Sequence, residues 1–305
     1  MKKCIILIAF FATFQLVKAQ ENESPSSETP KYKLWSHKFQ TGLNINQAEF
    51  SDNWKGGGVS SLAYGWFLNH VGNYQNKKTT INSDLQLQLG YLKNKGQDTR
   101  KNADRLFYDF KLGYKIAPKW DVFGSINLLS QFAQGFDYGK KSKLSGGDSL
   151  VSNFFAPAYL TSSIGLEYKA LPYFWMRFGI GTLRQTFVLD RQISDAGLYG
   201  LEKPGDRLRN QAVLQYIANF DKNLAKNINL KARYSVNWDY FKAGQVNQFV
   251  HLFNTNLTLK ASKYISTNVQ VNIINDYDMD KKTQWSQILA LGILYSLNRD
   301  AVRPN

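Results

Sequence analysis

Residues 228–240 read INLKARYSVNWDY, and taken two at a time they separate into two faces without an exception. Ile228, Leu230, Ala232, Tyr234, Val236, Trp238 and Tyr240 fall on one face; Asn229, Lys231, Arg233, Ser235, Asn237 and Asp239 fall on the other. A period of two is the signature of a β-strand with one apolar and one polar side. A soluble antiparallel sandwich also alternates, but it seldom sets two cations, an acid and two asparagines on a single strand of this length. The other solution is a transmembrane barrel strand, with its apolar face toward lipid and its polar face toward a wet lumen.

The start of the chain favours the second solution. Residues 1–20 carry Lys2 and Lys3, then an apolar run over 5–14, then Ala19 two places after Val17, the pattern of a secretory signal peptide too short to span a bilayer as a helix. Cys4 precedes the apolar run, so it does not mark a lipoprotein cleavage site. It is also the single cysteine, so an exported mature chain has no disulfide, zinc–thiolate site or cysteine nucleophile. Loss of the three lysines in this segment reduces 38 basic residues to 35 against 23 acidic ones, a formal charge of +12. Residues 21–35 are polar, hold two prolines and show no periodicity, and are expected to be a disordered periplasmic lead-in. No later stretch of about 20 apolar residues occurs, so a membrane would be crossed by strands. The barrel is expected over 36–298, with 299–305 as a C-terminal tail.

Twelve strand-like segments follow, at 37–47, 59–68, 81–93, 105–116, 120–132, 158–168, 174–188, 212–220, 228–240, 250–260, 266–274 and 287–297. Alternation is clearest in the third and fourth, where Leu85, Leu87, Leu89 and Tyr91 oppose Asp84, Gln86, Gln88 and Gly90, and Leu106, Tyr108, Phe110, Leu112 and Tyr114 oppose Arg105, Asp109, Lys111 and Lys115. In the seventh, Phe174, Met176, Phe178 and Ile180 oppose Trp175, Arg177, Gly179 and Gly181. The connections alternate in length. Shorter ones lie at 69–78, 117–119, 169–173, 221–227 and 261–264; long ones lie at 49–58, 94–104, 133–157, 190–211, 242–248 and 275–285. Outer-membrane barrels sort their connections in this way, with short periplasmic turns and long extracellular loops. Trp120, Tyr173, Phe174 and Tyr264 flank the short turns, while Trp54, Trp238, Tyr240, Phe241 and Trp285 lie near the long loops, as interfacial girdles require.

The stretches NWKGGG (53–58), SQFAQGFDYG (130–139), SNFFAPAYLTSSIGLEY (152–168), RQTFVLDRQISDAGLYG (184–200) and NDYDMD (275–280) resemble the domain of unknown function 3078 family, a group of predicted outer-membrane proteins from Bacteroidota. The resemblance covers about 50–297, and its middle block is the most specific part. It implies a location and a β-barrel fold; the family has no established activity, so no functional residue carries over.

Motifs for catalysis or metal binding are weak. Gly56, Gly57 and Gly58 lack the Lys-Ser/Thr pair of a phosphate loop and read as a flexible extracellular loop. Asp276, Asp278 and Asp280 open like a calcium loop, but Lys281 and Gln287 stand where that pattern needs Gly and Glu, so a solvated acidic loop tip is expected and no metal. The three histidines are His37, His70 and His251. Only His251 falls near the extracellular end of a strand, where a lipid hydrolase would hold one, and no motif supplies serine and acidic partners.

The polar faces say more. Arg105, Lys111, Lys115, Arg177, Lys231 and Arg233 are expected to line the lumen, against Asp84, Asp109, Glu167 and Asp239, with Trp175 as a stacking surface. A cationic pore wall concentrates anions. The competing expectation is that these charges pair across strands inside a closed barrel, plugged by the 133–157 loop. Nucleic acid is not an expected partner, because the cations are spread rather than clustered. The sequence therefore predicts an all-β chain: a single antiparallel up-and-down barrel of about twelve strands in the outer membrane of a Gram-negative bacterium. The expected function is a porin-like pore or transporter for small anionic or polar solutes, without cofactor or enzymatic activity. The alternatives are a structural or adhesion barrel that displays its long loops to a partner and, further off, a lipid hydrolase.

Overall fold

The computed structural model describes residues 33–51, 59–141, 147–245, 248–262 and 264–302. The signal-peptide segment, nearly all of the lead-in, the 56–58 glycine run and Trp54 lie outside them. Twelve strands close into one antiparallel barrel: β1 (Lys33–Ala48), β2 (Ser61–Gln75), β3 (Thr79–Asn94), β4 (Arg100–Ala117), β5 (Trp120–Ser130), β8 (Ala158–Leu171), β9 (Phe174–Phe187), β10 (Leu208–Ala225), β11 (Ile228–Asp239), β12 (Phe249–Lys260), β13 (Ile265–Asp276) and β14 (Gln284–Val302). A two-stranded hairpin, β6 (Gly135–Lys141) with β7 (Asp148–Ser152), and a short helix α1 (Arg191–Asp195) sit in two of the connections. β1 pairs with β2 on one side and β14 on the other, from Lys33 opposite Val302 to Asn44 opposite Gly292. Closure leaves the barrel without an edge strand.

The twelve-strand count and the sorted connections hold. Connections at 76–78, 118–119, 172–173, 226–227 and 261–264 occupy one end; those at 49–60, 95–99, 131–157, 188–207, 240–248 and 277–283 occupy the other. The strands run longer than their periodic segments. β4 starts at Arg100 rather than Arg105, β1 takes in residues expected in the lead-in, and β14 extends into the expected tail. Ladder hydrogen bonds continue at the rims, where water relaxes the apolar alternation, so pairing outruns pattern.

Burial is inverted relative to a water-soluble protein. Outward Ile164, Ile180 and Leu289 are 67%, 60% and 65% exposed, while inward Lys111, Glu167 and Arg177 are 0%, 2% and 3% exposed. An apolar outer belt around a charged interior is stable only in hydrocarbon, where the closed ladder satisfies every backbone group. No helix among the described residues is long and apolar enough to cross a membrane, so the strands make the crossing. The protein is a transmembrane antiparallel β-barrel. Outward Trp120 and Tyr264 ring the short-turn end, and Tyr240, Phe241 and Trp285 ring the long-loop end, as the two girdles were expected to.

Candidate functional site

A cavity of about 1090 Å³ opens in the lumen; its lining reaches the short turns at Lys119, Pro172 and Lys226 and rises toward the long loops at Asn44, Arg105 and Ile288. Its two sides differ in chemistry. On β12 and β13 the inward positions pair rung by rung, Asn254 with Asn272, Asn256 with Gln270 and Thr258 with Asn268, which makes an uncharged wall of amides and hydroxyls. The Thr258 hydroxyl donates to Asn268 Oδ1 at 2.9 Å. β4 and β9 supply Arg105, Trp175 and Arg177, and β11, next to β12, supplies Lys231 and Arg233, the cationic and aromatic side of the cavity.

An ion network backs the charged side. Asp109 on β4 accepts from Arg177 Nη1 of β9 at 3.1 Å and from Arg233 Nη1 of β11 at 3.5 Å. Glu167 on β8 accepts from Arg177 Nε at 2.7 Å and from Lys111 Nζ. Asp121 on β5 holds Lys169 at 2.5 Å. Four strands separate β4 from β11 around the ring, so the Asp109–Arg233 pair crosses the lumen as a bar. Guanidinium groups also stack on rings: Phe107 lies between Arg105 at 4.8 Å and Arg233 at 5.4 Å, and Arg177 lies 4.3 Å from Trp175. Lys111, Arg177 and Arg233 are tolerable this deep because each has an anion within ion-pair reach.

Of the eight residues expected on the lumen wall, Arg105, Trp175, Arg177, Lys231 and Arg233 line the cavity. Lys111 faces inward but is packed behind Glu167. Lys115 faces inward near the short turns, outside the cavity lining. Asp239 stands at the long-loop end, where it accepts from Gln211 Nε2 at 2.8 Å and caps the next turn through Phe241 N at 3.0 Å. Both competing expectations therefore describe part of the lumen: charges pair across it, and an open polar chamber remains beside them.

The long-loop half is filled on the β8-to-β12 side. Inward Val213, Ile217, Val250, Thr182 and Asn237 are all buried, which a water-filled channel would not allow. Two loops pack over them around Leu150, Ala156, Val188, Ile193 and Leu201, with Asp190 capping α1 through Gln192 N and Ile193 N. Tyr199 donates its hydroxyl to the Val151 carbonyl, joining the two loops; burial pushes its phenol up to about 12, so it stays a donor at any physiological pH. The expected solvated loop tip at 275–280 is only partly so: Asp280 is exposed, but Asp276 is buried and Asp278 half-buried. Asp276 meets Arg184 of β9 at 3.3 Å, and Asp278 meets Arg209 of β10 and Lys242 at 2.8 Å each, so this loop reaches over the mouth as a lid. The Asp276 and Asp278 carboxylates are taken up by cations, while the exposed Asp280 accepts from Lys282 N at 2.8 Å; no cluster of three potential ligands for a metal occurs among the described residues.

Arg184 faces inward because of a feature the alternation hides. Val213 opposes Thr182 and Gln215 opposes Gly179, so β9 carries one extra residue, a bulge at Ile180 and Gly181. Past it the inward parity changes from odd to even, and Arg184 and Thr186 turn into the lumen instead of following the odd-numbered set. The histidines face outward. His37 Nδ1 and His70 Nε2 are 3.3 Å apart, and His251 Nδ1 lies 2.8 Å from the Tyr234 hydroxyl with no serine or carboxylate contact among the described residues. No triad geometry is present there.

A family model described as protein of unknown function (DUF3078) matches residues 45–136, less than a third of the chain and narrower than the expected span. Comparison with curated proteins finds no match. Among solved structures, the COG4313 outer membrane channel from Pseudomonas putida F1 is similar at 9% identity and a TM-score of 0.37, over 91% of this chain and 100% of that one. The NanC porin gives 9% and 0.36 over 84% and 97%, and the translocator domain of the autotransporter NalP from Neisseria meningitidis gives 10% and 0.34 over 88% and 89%.

Proposed function

We propose that the protein is a bacterial outer-membrane barrel that passes small anionic or polar solutes, with its short turns in the periplasm and its lid on the extracellular side. The observation that carries this reading is the polar, cation-rich chamber of about 1090 Å³ inside an apolar shell. A barrel that serves only as a structural support has no need of an unfilled lumen. Nine cations and four acids line the chamber, and this excess favours anions by several kT where low-dielectric walls focus the field. The lid pairs and the Asp109–Arg233 bar hold the path narrow, so the conducting state needs the lid to move.

A second reading has its own support. The filled long-loop half favours a closed barrel that presents its packed loops to a partner. Planar-bilayer recording separates the two. The intact chain is expected to open rarely, the Arg184→Ala/Arg209→Ala variant to open often, and the reversal potential in a salt gradient to show anion preference that Lys231→Glu weakens. Silence from both proteins at every voltage would sink the channel reading in favour of the closed barrel.

A further inference from the structure

We infer that Lys38, Lys231 and Lys260, converging on the cavity from β1, β11 and β12, form a seat for a small hydroxylated organic anion, a sugar acid or sugar phosphate. The inference rests on the reading of the lumen as a solute chamber, but it needs no open path through the barrel.

Charge imbalance is the first ground. Lys38 and Lys260 have no ion-pair partner among the described residues, and Lys231 pairs with Asp221 at 3.3 Å while also feeling the charge of Asp84. The Lys38 ammonium is close enough to feel the repulsion of Lys231 and Lys260 as well as the attraction of Asp221. Three ammonium groups therefore face two carboxylates, Asp221 and Asp84, in a half-enclosed space, and the buried ion network elsewhere in the lumen shows how differently this chain treats cations that serve packing alone. A bound anion would balance the excess.

The wall beside the seat is the second ground. Between Lys231 and Lys38 around the ring lie β12, β13 and β14, and the first two present Asn256, Thr258, Asn268 and Gln270. These groups donate and accept in equal measure and carry no charge, which suits the hydroxyls of a sugar rather than an apolar body. Asn256 Oδ1 is buried without a hydrogen-bond partner directly beside Lys231. A cavity of about 1090 Å³ has room for a ligand of this size with water around it. The lining at Lys119, Lys169 and Lys226 continues the positive field to the short-turn mouth, which gives the side of entry.

Trp175 supplies the probe. It faces the cavity, whereas Trp35, Trp66, Trp120 and Trp285 are outward and exposed and Trp238 is outward and half-buried, and Trp175→Phe identifies its share of the emission. The full chain in nanodiscs is titrated with glucuronate, glucose 6-phosphate, glucose, acetate and inorganic phosphate, by fluorescence and calorimetry. At least one sugar anion is expected to bind about tenfold more tightly than glucose and than the bare anions, with the gap narrowing at high salt. The tighter of the two names the anionic group. Lys38→Gln and Lys231→Gln are each expected to cut that affinity about tenfold while leaving the folded barrel's gel mobility unchanged. Equal binding of glucose, equal binding of bare phosphate, or no binding of either sugar anion by a folded chain would overturn the seat. Binding without conductance leaves the seat standing and removes the channel; conductance without binding removes the seat alone.

Discussion

Asp109 ties three inward side chains together. It accepts from Arg177, Arg233 and Asn127, and it is the anion that lets two guanidinium groups stay in the lumen. Asp109→Asn keeps the shape but leaves Arg177 with Glu167 alone, and removing one partner of a buried pair costs about 3–5 kcal/mol. Urea unfolding from lipid vesicles should show that loss, and the double change Asp109→Asn/Arg233→Gln should recover part of it. An unchanged midpoint for Asp109→Asn would mean that the bar contributes nothing to stability. The period-two pattern put Asp109, Arg177 and Arg233 on inward faces, yet it could not pair them. Their meeting depends on which strands stand opposite one another, and four strands lie between β4 and β11.

Among the elements, the β8–β9 pair is the most constrained. A side-chain carbon on Gly165 would run into the Phe178 carbonyl and the Gly179 backbone, so the two strands approach here as only glycine allows, next to the bulge that turns Arg184 inward. Tyr240 donates to the Ile180 carbonyl at 2.9 Å and so occupies an acceptor the bulge sets free. Gly165→Val is expected to destabilise the barrel by roughly 1–3 kcal/mol through forced displacement of β9. It should also weaken the Arg184–Asp276 lid contact, which bilayer recording would report as more frequent opening. Normal stability together with normal gating would show that the close approach is incidental. The bulge left no trace in the alternation of 174–188, because an extra residue shifts parity without changing which residue types are present. The connection lengths were legible because loops must differ at the two ends of a barrel; their folding into a hairpin, a helix and a lid was not, since those contacts join segments far apart in the chain.

For the whole molecule, the inverted burial predicts behaviour in detergent. A closed ladder with an apolar outside should resist sodium dodecyl sulfate until heated, so an unheated sample should migrate ahead of a boiled one. A chain that runs identically before and after boiling would not be a closed barrel. The sequence alone determined the strands, their number, the sorting of their connections and which face of each meets lipid, because each of these is local and written in a period of two. Closure also followed, since an open edge has no stable place in hydrocarbon. Only the tertiary structure decided what the lumen contains. The same inward arginines could have lined an open pore or been consumed by carboxylates, and the distances from Asp109, Glu167, Asp276 and Asp278 show that most are consumed. Lys38 and Lys260 are not, because the strands around them bring amides in place of acids.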